Sequence, residues 1–164
     1  MLGIRLSVLI ALVVGVGLAS GVTALSLVTS AITLSTTLNG LDQTVPGTTT
    51  AWQVNTFTDN GGWNITVSST DFSDGGSGTI SVSNFDIRQL DSNIVWRAGS
   101  QNMPTSAQTT FAALSGTPLK IVTAAQGQAK GIYDITPDFQ LFVVGETSPA
   151  SYDATVTVTI ALGP

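Results

Sequence analysis

The stretch 151–163, "SYDATVTVTIALG", limits what this chain can fold into more than any other. Ala154, Val156, Val158 and Ile160 recur at every second position, and Thr155, Thr157 and Thr159 fill the places between them. A strand turns successive side chains to opposite faces, so this period hides one face and wets the other. Clean alternation of this kind belongs to an antiparallel sheet with one face on a core, because strands of a parallel sheet are usually covered on both sides.

The same period recurs along the chain. In "WNITVSS", Trp63, Ile65 and Val67 share one face and Asn64, Thr66 and Ser68 the other. "SAITLSTTLNG" alternates at Ile32 and Leu34 and ends on Asn39-Gly40. "AWQVNTFT" pairs Trp52 with Val54, and Phe57 falls out of phase. The "DNGG" turn at 59–62 lies between that run and Trp63, which predicts a β-hairpin. "GTISVSNFDIRQL", with Ile80 and Val82 in phase, predicts a further strand, as do "NIVWRAG", "PLKIVTAA", "GIYDI" and "FQLFVVG". The polar stretch 100–118, with Pro104 and Pro118, reads as a long loop or a short helix over the sheet. After residue 24 no stretch of helical length carries a 3.6-residue period. Seven to nine strands with turns between them predict an all-β antiparallel sandwich of the immunoglobulin-like or Greek-key type, formed as a single domain by residues 25–164.

Residues 1–24 read differently. Arg5 is followed by an uncharged apolar run from Leu6 to about Leu18, and then by small residues ending in Val22-Thr23-Ala24. This is the order of a secretory signal peptide, with cleavage expected after Ala24. A retained membrane helix is disfavoured by Gly15, Gly17 and Gly21 and by the length of the run. A pilin-like N-terminus is disfavoured by the lack of any acid before Asp42. Contact with the membrane is therefore expected to be transient, and the destination is the extracellular space or the cell surface. Removal of Arg5 leaves 4 basic against 10 acidic side chains, because the whole chain has 5 and 10.

Composition excludes several functions. The chain has no Cys and no His, so it has no disulfide, no thiolate nucleophile, no imidazole base and neither of the commonest soft metal ligands. Five basic residues against a net charge of -5 exclude a phosphate-tracking nucleic-acid surface. Acids are scattered beside turn residues, as at Asp42, Asp59, Asp74 and Asp91, and no pair is marked for glycoside hydrolysis. The chain reads as a protein without catalytic chemistry and without a cofactor.

"LNGLDQTVPG", "TFTDNGGWNITVSSTDFSDG" and "SPASYDATVTVTIALGP" together resemble the WxL-domain family of bacterial surface proteins. Trp63-Asn64-Ile65 stands where the family's first Trp-x-Leu motif falls, and Val158-Thr159-Ile160 where the second falls, with Val158 in place of its Trp. The resemblance implies a β-sandwich at the cell surface, attached without covalent linkage to wall peptidoglycan.

Candidate sites are few. Trp52, Trp63 and Trp96, the last followed by Arg97, are the residues able to stack on or bind a glycan. Trp63, in phase with Ile65 and Val67, reads first as a core aromatic and second as a stacking platform. Asp71 and Asp74, before the glycines of "TDFSDGGSG", are weak calcium candidates, and the same residue types suit a plain turn. Asn64-Ile65-Thr66 is an N-glycosylation sequon. The expected function is a secreted structural or adhesion module that binds peptidoglycan or another surface glycan, and its expected partners are wall polysaccharide or other surface proteins. A filament, pilus or surface-layer subunit that self-associates by strand addition through residues 25–38 is the alternative. A carbohydrate-binding module is a third reading.

Overall fold

Two strands, seven residues of each paired, lie near the middle of the structure. Trp63–Ser69 runs antiparallel to Val156–Leu162, and on both strands alternate residues are buried. The computed structural model describes residues 3–12 by their backbone, and residues 25–57 and 61–163 in full. Among these the strands in chain order are β1 (Gly3–Leu12), β2 (Ser26–Val28), β3 (Ile32–Thr37), β4 (Gln43–Thr49), β5 (Trp52–Asn55), β6 (Trp63–Ser69), β7 (Phe72–Ser73) and β8 (Thr79–Ile80). They continue with β9 (Phe85–Arg88), β10 (Ile94–Gly99), β11 (Thr105–Ser106), β12 (Ala112–Ala113), β13 (Leu119–Ala124), β14 (Gly131–Ile135), β15 (Asp138–Val143) and β16 (Tyr152–Leu162).

The strands form two sheets in a sandwich-like all-β fold. The large sheet has the order β11-β13-β6-β16-β1-β3-β4-β15-β9-β12, with β7 and β8 attached to β16. The small sheet has the order β10-β14-β5-β2. Aromatic rings join the two. Trp52 of the small sheet lies 6.1 Å from Phe139 of β15. Phe139 stacks on Phe85 at 5.5 Å, and Phe85 meets Phe72 edge-on at 5.1 Å. The Trp63 indole N–H donates to the Ala129 carbonyl beside β14, closing the far end.

The alternation seen in the sequence is the burial pattern of the strands. Trp63, Ile65, Val67, Val156, Val158 and Ile160 are all at most 1% exposed. The expectation fails in two places. β5 and β6 do not form a hairpin: β5 pairs with β14 and β2, whereas β6 pairs with β13 and β16. Thr56 explains the parting. Its amide donates to the Gly131 carbonyl and its hydroxyl to the Ala129 carbonyl, so the end of β5 is held on β14 and not beside β6. Gly62 leads into β6 at φ 78, where a Cβ would stand 2.7 Å from the Ala124 carbonyl oxygen. The run from Thr79 also breaks. Ser81 caps a 3-10 turn over Val82–Asn84, which separates β8 from β9 and leaves Val82 only half-buried. The stretch 100–118 holds no helix and contributes β11 and β12.

Residues 3–12, within the segment expected to be a leader, form β1, a central strand between β16 and β3. Its pairing with β16 is parallel, and every other strand pairing among the described residues is antiparallel. Residues 13–24, with the expected cleavage point after Ala24, lie outside the described residues.

Truncation of Trp63 to Ala is expected to cost about 3–5 kcal/mol, the usual range for a buried aromatic. Thr157→Ala, on the opposite face, is expected to stay within about 0.5 kcal/mol. Urea denaturation of the two variants checks this contrast.

Candidate functional site

The outward faces of the strands are built from hydroxyls. On β6 and β16, Asn64, Thr66, Ser68, Thr155, Thr157 and Thr159 are half-exposed, with Thr157 opposite Ser68 and Thr159 opposite Thr66. Thr33, Ser35 and Thr37 of β3 and Thr44 and Thr48 of β4 are also exposed or outward, with Thr33 opposite Thr48. Lys120 and Asp153 are the only charged residues in β13, β6, β16, β3 and β4. The face therefore presents neutral donors and acceptors on a rigid pleat. Hydroxyls of this kind can bond a polysaccharide at any ionic strength, because no counterion has to be displaced.

A second surface lies on β10, an edge strand of the small sheet with one side unpaired. Val95 and Trp96 are 46% and 41% exposed. The pairing of β10 with β14 shifts between Trp96 and Ala98, which leaves Arg97 in a bulge. The bulge turns the guanidinium onto the buried carboxylate of Asp134, with Nε–Oδ2 at 2.6 Å. Arg97 is thus engaged within the fold, and the Trp96 indole N–H is engaged by the Gly99 carbonyl. The ring face of Trp96 is what remains for a ligand. Phe57, 46% exposed, lies over Gly99, where an added Cβ would come within 3.0 Å of its ring. Two exposed aromatics thus flank Gly99. Phe57 was missed as a site residue, although its break in the alternation of "AWQVNTFT" was the signal that it faces the other way.

The other sequence candidates take structural roles. Trp52 and Trp63 are closed to a glycan: they are 0% and 1% exposed because their rings fill the core between the sheets. Asp71 accepts the amide of Val82, and Asp74 accepts the amides of Gly76 and Gly78, so each carboxylate fixes its own loop. Asn64 points outward as expected, but its side-chain nitrogen donates to the Gly163 carbonyl at 2.7 Å. The atom that would carry a glycan is part of the closure of the last strand. Elsewhere Asp42 and Glu146 line one surface cleft, where Asp42 accepts the Gly145 amide.

Two phenols respond to their surroundings. Burial pushes Tyr133 above the ordinary tyrosine value. Burial also raises Tyr152, and the charge of Asp74 adds to the effect. Tyr133 donates to the Ser100 carbonyl and Tyr152 to the Ser148 carbonyl, so both are protonated donors in the folded chain.

No protein-family model matches the chain, and no curated protein matches it.

The folded state holds the two phenolic protons where the unfolded chain would release them. Stability from this source is full below about pH 10 and is lost as pH rises through the raised folded values. Thermal melts from pH 8 upward are expected to be flat and then to fall past about pH 10, and Tyr133→Phe is expected to make that fall shallower.

Proposed function

We propose that the protein is a secreted, non-catalytic structural module of the cell surface that holds wall polysaccharide. The observation that carries this reading is the hydroxyl-rich, almost uncharged outer face of the large sheet, from Thr66 and Ser68 through Thr157 and Thr159 to Thr33 and Thr48. Such a face offers many weak, neutral hydrogen bonds over a broad area, which suits a repetitive polymer better than a small substrate. The exposed rings of Trp96 and Phe57 supply apolar stacking surface at one edge. The leader-like residues 1–24 and the resemblance to WxL-domain proteins support a surface location. In this chain both motif positions, Trp63 and Val158, are buried, so contact with the wall falls to the outer face and to β10.

The test is co-sedimentation of the purified protein with isolated peptidoglycan and with whole cell wall. Binding is expected to persist in about 1 M salt, because few ionic contacts contribute. Trp96→Ala is expected to weaken it roughly 2- to 10-fold, the value of one aromatic contact. Absence of binding at low salt refutes wall attachment.

A further inference from the structure

β1 fills a slot in the middle of the large sheet. It pairs with β16 over seven residues, Leu6–Leu12 beside Tyr152–Val158, and with β3 over Gly3–Ser7 beside Thr37–Thr33. The strand that fills the slot is the segment expected to be removed on secretion. Without residues 1–24, β16 and β3 each lose one line of backbone partners, across a gap of about 9–10 Å, two strand spacings. The core side of that gap is walled by Tyr152, Ala154, Val156 and Val158 on β16 and by Ile32 and Leu34 on β3, all of them buried. Unpaired amides and carbonyls beside such residues carry a large cost, so the slot of the mature chain demands a strand.

We propose that residues 25–31 of a second copy fill this slot, running parallel to β16. The inference rests on removal of the leader, which is part of the function proposed above. An occupant must bring two free edges, because it pairs on both sides. β10 offers only one, its other edge being committed to β14. The mature N-terminus offers two once Ser26–Val28 leave β5, their one strand partner. Of residues 25–31, only Ser26–Val28 are held in a strand, and they pair on one side alone, with β5. The same segment of the same copy cannot serve. It leads directly into β3 at Ile32, and doubling back beside β3 needs a turn of about two residues. That leaves five residues, 25–29, for a seven-residue wall. A second copy needs no turn. Its Leu25, Leu27, Thr29 and Ala31 would take the register positions of Leu6, Val8, Ile10 and Leu12, with no charge and no proline in the stretch. Each copy has one such segment and one slot, in different places, so the contact is head-to-tail and propagates into a filament.

The absence of native cysteine allows a direct test on the protein as its host secretes it. In the shared register Val28 falls beside Thr155, whereas in the isolated chain Val28 pairs with Gln53. Under mild oxidation Val28→Cys with Thr155→Cys is expected to give a ladder of covalent dimers, trimers and larger species. Mixed light and heavy isotope chains would show the linked peptides to come from different copies. Val28→Cys with Gln53→Cys is expected to leave most chains unlinked. The proposal is overturned if the Gln53 pair closes within one chain while the Thr155 pair stays monomeric, the result expected if β3 simply closes onto β16. It is equally overturned if the N-terminal mass shows Met1 retained and a Leu9→Cys, Thr155→Cys pair closes within one chain. Wall co-sedimentation reads the proposed function separately, because a monomer can bind the wall and a filament can fail to.

Discussion

The ladder between β6 and β16 is the constraint from which the rest of the structure follows. Seven consecutive pairs, Val156–Ser69 through Leu162–Trp63, lock the two most regular strands in a register that buries every second residue from Trp63 to Ser69 and from Val156 to Ile160. A shift by one residue would bring Thr155, Thr157 and Thr159 to the core and turn Val156, Val158 and Ile160 to water. The hydrophobic cost of that exchange fixes the register. With the register fixed, β13 has one place on the far side of β6, and the slot on the far side of β16 has a defined width and polarity.

The inner face of the ladder determines the fold and the outer face is left for function. Because Trp63 and Trp52 are spent on packing, little aromatic surface is exposed, and it lies on β10, at Phe57 and at Phe142 of β15. The two salt bridges among the described residues, Arg88–Asp138 and Arg97–Asp134, both join neighbouring strands of one sheet and leave the threonine face neutral. The proposed surface binding and the proposed strand donation are compatible for this reason: one would use the face of the large sheet, the other its interior edge.

The regular strands were legible in the sequence because a period of two is a local property. β16, β6, β3 and β13 fall where the alternation places them. Partner choice was not legible. The hairpin expected across "DNGG" fails because Thr56 bonds to Ala129 and Gly131, more than 70 residues away, and no local pattern reports that. The strand at residues 3–12 was hidden for a different reason. An apolar run with an early cation suits export and a central strand alike, and composition cannot separate the two. At the candidate site, Trp96 was visible as an aromatic near a turn. The engagement of Arg97 by Asp134 was not, because it depends on a bulge.

The placement of the few cationic side chains has a consequence for proteolysis. Residues 25–163 contain four of them, and Arg88, Arg97 and Lys120 lie within β9, β10 and β13. Lys130 sits in a connection, but its carbonyl accepts the amide of Ser100, which ties it to the end of β10. A trypsin-like protease must draw several residues around its target into an extended conformation in its own cleft, and none of these four positions offers a loose loop tip. The same arrangement that keeps the outer face neutral therefore leaves digestive enzymes with that specificity almost nothing to cut.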